Sequence, residues 1–158
     1  MNYLKKLENL IKQRNDMVFT SDLVHLKYPK LIYSHETALF IHGLSDRTPF
    51  EYSVTVPSSY KVVKSISESN KIHYIKNELH SLGVTTAKTS FRNNIRLYNV
   101  ERTICDIVRS RNRVDIQILN EALKRYIKLK SADFTLLGEY AKKLHIDKIM
   151  KKYMEVLL

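Results

Sequence analysis

The sequence predicts an α+β fold: a small mixed or antiparallel sheet packed against a C-terminal set of helices, preceded by a short N-terminal helical segment. Two observations lead there. Between residues 51 and 98, short stretches alternate apolar and polar side chains with period two and are rich in β-branched and aromatic residues, the pattern of strands. From Asn99 onward the period changes to that of amphipathic helices and stays so to the end. Strands followed by helices, rather than alternating with them, place the helices together on one side of the sheet.

Residues 2–14 carry Leu4, Leu7, Leu10 and Ile11 on one helical face, and Asn15-Asp16 is a plausible stop. Thr20 or Ser21 can cap a second turn over residues 22–27, which Pro29 closes. Ser34 is then a good N-cap, with Glu36 in the first turn favouring the helix dipole. "TALFIH" is apolar nearly all round, which marks a helix with little exposure, and Gly43 is its expected C-terminal stop. "FEYSVTV" alternates and reads as a strand ended by Pro57. The polar run "KSISESNK", residues 64–71, reads as a surface loop. "KIHYIKNEL" and "GVTTAKTSF" read as strands, and the Asn-Asn pair of "RNNIRLYN" turns into another. Asn99 caps "VERTICDIVRS". Three apolar stripes follow: Ile116, Leu119, Leu123, Tyr126 and Ile127; Phe134, Leu137, Ala141 and Leu144; and Ile146, Ile149, Met150, Tyr153 and Leu157.

A chain of 158 residues with 44% apolar side chains and only three Gly and three Pro suits one domain with a small appendage. The single cysteine, Cys105, excludes an internal disulfide and a cysteine-built zinc cage. No apolar run approaches the ~20 residues that cross a bilayer, and the first residues offer no unbroken apolar core for a leader. The expectation is a soluble cytoplasmic protein with no membrane partner. Twenty-seven basic against 16 acidic residues give a net charge of +11, spread along the chain rather than held in a tail. A distributed positive field favours a polyanion or an acidic protein as partner.

Catalytic signatures fail on spacing. "HETAL" begins like a metalloprotease helix but has Leu39 where the second histidine belongs. His35 and His42 stand about 10.5 Å apart along a helix axis, too far to share a metal ion. No nucleophile elbow occurs, and the glycines are too isolated for a phosphate loop. Cys105, among Ile104, Ile107 and Val108, reads as a small buried residue. Arg102 and Asp106, at i and i+4, read as a polar helix face with modest ion pairing. A buried bridge tying that helix to the sheet is the sharper alternative. No enzyme activity, metal or cofactor is expected. The candidate binding surface is a basic face built from Arg109, Arg111, Arg113, Lys124, Arg125 and Lys128.

Three stretches, "IYSHETALFIHGLSDRTPFEYSVTVPSSY", "LYNVERTICDIVRSRNRVDIQILNEALKRYIKLK" and "YAKKLHIDKIMKKYMEVLL", resemble the AbiEi family of bacterial type IV toxin–antitoxin (abortive infection) systems. Two blocks carry the resemblance. The first contains Ser34, His35, Glu36, His42, Gly43, Asp46 and Arg47; the second contains Glu101, Arg102 and Asp106. The resemblance runs from about Leu31 to the C-terminus. It implies a non-enzymatic antitoxin domain over residues 31–158 that counteracts a nucleotidyltransferase-like toxin, in the usual account without a stable complex. In that family an N-terminal winged helix-turn-helix also represses the operon, and operator DNA or RNA is a further candidate partner. Such a module takes roughly 60 residues, whereas 30 precede Leu31 here. Residues 1–30 are therefore read as a shortened remnant. The antitoxin role is carried over as the leading expectation, with DNA-binding autoregulation as the alternative.

Overall fold

The computed structural model describes residues 28–88 and 94–158. The expected helices at 2–14 and 22–27 and the start of the Asn-Asn turn lie outside the described residues. The fold is α+β. Five strands, β1 (Ile32–Tyr33), β2 (Tyr52–Pro57), β3 (Asn70–Ile75), β4 (Val84–Lys88) and β5 (Asn94–Tyr98), make one mixed sheet in the order β3-β2-β1-β5-β4. The outer pair β2–β3 and the central pair β1–β5 are parallel, while β1–β2 and β4–β5 are antiparallel. Among the described residues there are seven helices: α1 (His35–Ile41), α2 (Lys64–Ser69), α3 (Asn77–His80), α4 (Val100–Arg109), α5 (Ile116–Ile127), α6 (Phe134–Lys143) and α7 (Asp147–Leu157). None is long and apolar enough to cross a membrane.

Helix α1 ends as the sequence requires. Gly43 takes φ +74°, Leu44 donates to the Leu39 carbonyl at 2.9 Å and Gly43 to that of Phe40 at 3.1 Å. That left-handed exit closes the last carbonyls and is open to glycine without cost. The apolar circumference of α1 has a clear use, because the helix divides two apolar clusters. Leu39 joins the helical cluster with Ile104, Leu119, Tyr126 and Leu144, whereas Phe40 and Ile41 join the sheet cluster with Tyr33, Val54, Val56 and Leu97.

Two expectations are corrected. Residues 64–69 form helix α2 rather than a loop, and its sequence hid this because Ile66 is its only buried residue. The stretch "KIHYIKNEL" is divided: the strand stops at Ile75, and residues 77–80 make the short helix α3. Strand β2 also buries all six of its residues, including the polar Ser53 and Thr55 that alternation would turn outward. The backbone N–H of Ser53 donates to Thr37 Oγ1 at 2.8 Å, and the Thr55 hydroxyl donates to Ser34 Oγ at 2.7 Å, so the Thr55 side chain is paired inside.

Candidate functional site

The N-terminus of α4 is fixed first. Asn99 Oδ1 accepts from the Arg102 backbone N–H at 2.9 Å, the capping bond that the sequence expected. The amide nitrogen of Asn99 also donates to Tyr140 Oη on α6. Gly83 lies against this first turn: its φ is +77°, and a Cβ there would stand 2.8 Å from Arg102 Cβ. The loop between α3 and β4 thus reaches the side chain of Arg102.

Arg102 is 0% exposed. Its Nε donates to Asp106 Oδ1 at 3.1 Å, and its Nη1 donates to the carbonyls of Leu79 at 2.8 Å and Leu82 at 2.7 Å. The guanidinium also sits 4.0 Å above the centre of the Tyr98 ring, a cation–π contact in a dry setting. The plain reading of this i,i+4 pair as a lightly paired polar face is therefore corrected. It is a buried ion pair that ties α4 to the sheet and to the 79–83 loop. Spacing alone could not tell the two apart, since both place the residues one helical turn apart.

Around this pair lies a pocket of about 350 Å³, lined by residues of α1, β2, β3, α4 and the turn after it, among them His35, Thr55, His73, Tyr74, Arg109 and Arg113. Strand β3 pairs in register with β2 so that His73 stands beside Thr55. The His73 ring stacks on His35, with centroids 3.6 Å apart and planes 11° from parallel. His35 itself has φ +51°, the left-handed region that histidine enters only at a cost. Ser34 is extended, as an N-cap should be, but its hydroxyl makes no capping bond. It accepts from Thr55 and bonds to His35 Nδ1 at 2.8 Å. Ser34 thus orients the imidazole instead of closing the helix.

Both imidazoles are held neutral, with pKa values lowered to about 3. For each, burial is the chief cause; for His35 the cations Arg102, Lys71, Arg109 and Arg113 add to it, and for His73 the neighbouring His35 and Lys71 do. Burial pushes the Asp106 carboxyl up from its ordinary range, and the Arg102 charge opposes that rise. Three polar atoms of the pocket find no hydrogen-bond partner among the described residues: Arg102 Nη2, Asp106 Oδ2 and His73 Nε2. A buried donor or acceptor left unpaired costs about 1–3 kcal/mol. The pocket therefore offers an unmet guanidinium edge, one unmet carboxylate oxygen and one unmet imidazole nitrogen, with the cations Arg109 and Arg113 beside them.

The remaining signature residues build the frame. The turn after α1 is clasped to α5 from both directions. Arg47 donates to Asp115 Oδ2 at 2.9 Å and to Gln117 Oε1 at 2.6 Å, and Arg125 donates to both carboxylate oxygens of Asp46, to Glu121 and to the Gly43 carbonyl. His42 Nε2 donates to the Tyr98 carbonyl at 2.8 Å, so it is a hydrogen-bonded packing residue. Glu36 lies in the first turn of α1, and Glu101 is buried, its carboxyl pushed up by burial and by Asp133. Of the six residues of the basic face, Arg109 and Arg113 reach the pocket, Arg111 donates to the Val108 carbonyl, and Lys124 on α5 and Lys128 at its C-terminal cap stand exposed. Arg125 is committed to the clasp. Cys105 is fully buried with its thiol pushed well above the usual range, chiefly by burial.

Sequence reasoning missed His73 and Thr55 as pocket residues. One signal was there: a histidine in the middle of a strand otherwise made of Asn, Lys, Ile and Tyr. No group of three or more His, Cys, Asp or Glu among the described residues is placed to hold a metal ion. No protein-family model matches the chain, and no curated protein matches it closely enough to count as a relative, so its functional reading stands on geometry.

Proposed function

We propose that this chain is an antitoxin of the AbiEi kind, a cytoplasmic, non-enzymatic protein that counteracts a nucleotidyltransferase-like toxin by presenting a folded cationic surface. One observation carries the reading. The two blocks that resemble the family, distant in sequence, meet in space: His35 of the first, oriented by Ser34, lines one pocket with Arg102 and Asp106 of the second. The chemistry of that pocket favours binding over turnover. Its imidazoles sit far below the range suited to general acid–base work at neutral pH, and the one thiol is buried and protonated.

The test is co-expression with a nucleotidyltransferase-like toxin. Charge reversal to Glu at the exposed positions Arg109, Arg113, Lys124 and Lys128 is expected to abolish protection while circular dichroism stays unchanged. Arg125 is left intact because it holds the turn after α1. Protection that survives the reversal would sink the cationic mechanism. Survival of protection together with lost binding to DNA upstream of its gene would favour the autoregulatory alternative.

A further inference from the structure

We propose that the pocket between α4 and the β2–β3 edge is a receptor for a nucleoside phosphomonoester, carried either by a free nucleotide or by the 5′ end of an RNA strand. The inference rests on the pocket's geometry alone and does not depend on the antitoxin reading.

The donors come first. Arg102 is held rigidly by Asp106, Leu79 and Leu82, so its free Nη2 edge points to one place and loses little entropy on binding. Arg109 and Arg113 line the same pocket from the end of α4 and the turn after it. Three guanidinium groups, of Arg102, Arg109 and Arg113, thus line a pocket that holds one carboxylate, a surplus better matched by a phosphomonoester than by a singly charged carboxylate. A phosphomonoester carries a charge of about −1.5 to −2 near neutral pH and three acceptor oxygens, and guanidinium groups bind such oxygens in pairs.

Asp106 Oδ2 narrows the choice. It is an acceptor with no partner, set beside the donors. A fully ionised oxyanion such as sulfate would turn lone pairs against it. A phosphomonoester, with its second pKa about 6, still carries a P–OH hydrogen in part of its population and can donate it to Oδ2. Tyr74 supplies the last element. It lies on the edge strand β3 among the residues that border the pocket and is 58% exposed, so its ring is within reach of a base attached to the phosphate. The volume of about 350 Å³ lies at the lower end of the range for small-molecule sites.

The experiment is calorimetric titration of the purified chain at matched ionic strength with inorganic phosphate, AMP, adenosine, sulfate, and a short oligoribonucleotide bearing either a 5′-phosphate or a 5′-hydroxyl. AMP is expected to bind at least tenfold more tightly than adenosine or sulfate, the equivalent of about one charge-assisted hydrogen bond. Arg113→Glu, on an exposed residue that the fold does not need, is expected to weaken AMP about tenfold or more. Lys148→Glu makes the same change of charge on α7, away from the pocket, and is expected to leave AMP within about twofold because screening removes distant charges. Tyr74→Ala is expected to weaken AMP and leave inorganic phosphate unchanged. If the phosphorylated strand outbinds AMP and the hydroxyl strand does not, the ligand is a strand end; equal binding of AMP and the phosphorylated strand assigns the free nucleotide. Absence of saturable binding by any phosphate probe overturns the proposal. So does sulfate binding as tightly as phosphate, or an equal loss from Lys148→Glu and Arg113→Glu.

Discussion

Replacing Arg102 by Met is the most informative single perturbation of this fold. Methionine fills a similar space but removes three side-chain hydrogen bonds and the charge over Tyr98. Asp106 would remain almost wholly buried without its hydrogen-bonded cation, and the Leu79 and Leu82 carbonyls would lose their donor. Removing one partner of a buried ion pair costs about 3–5 kcal/mol, so Arg102→Met should lower stability by about 4 kcal/mol, a large share of the ~5–15 kcal/mol typical of a domain. The loss should depend on pH in a known direction. Burial already raises the Asp106 pKa, and without Arg102 it rises further. A carboxyl whose pKa is raised in the fold favours the folded state at low pH and loses that advantage as pH rises through its folded pKa. The variant should therefore be penalised more at pH 7.5 than at pH 5. Urea unfolding followed at 222 nm at both values measures this. The double variant Arg102→Met, Asp106→Leu should recover at least half of the loss, because a buried pair exchanged for apolar groups of similar size is often neutral. A single-variant loss below about 1 kcal/mol, or a double variant no better than the single, would refute the account of Arg102 as a buried tie.

His35 and His73 stay neutral in the fold to about pH 3, whereas unfolded histidine protonates near 6.5. Stability should accordingly be complete above pH 6.5 and fall as pH drops below it, and denaturant midpoints for His35→Asn across pH 7 to 4 should fall less steeply than those of the parent chain. Gly83→Ala combines a left-handed φ with a Cβ 2.8 Å from Arg102 Cβ. It should cost about 2–3 kcal/mol, and an unchanged thermal midpoint would show that the loop can move aside.

The elements that the sequence made legible are those whose signals are local. Asn99 announced α4 because its cap and the apolar period behind it lie within a few residues, and Gly43 announced the end of α1 for the same reason. What escaped depends on distant partners. The polarity of Thr55 suggested an outward face, yet Ser34 satisfies its hydroxyl inside. Arg125 looked like a cation for a partner, and only the folded chain brings Asp46 to it. The pocket was half visible. Arg109 and Arg113 were read as part of a basic face and Arg102 with Asp106 as a polar helix face, but nothing local joined them to His73, because that junction depends on the parallel register of β2 with β3.

Helix α1, seven residues long and wedged between the two apolar clusters, has a consequence for how the molecule comes apart. Neither side owns that wall. A chain cut after β5 would leave Leu39 facing water, and the severed C-terminal bundle would have an open flank where the wall had stood. The sheet and the bundle should therefore melt in one transition, and neither should persist as an isolated fragment.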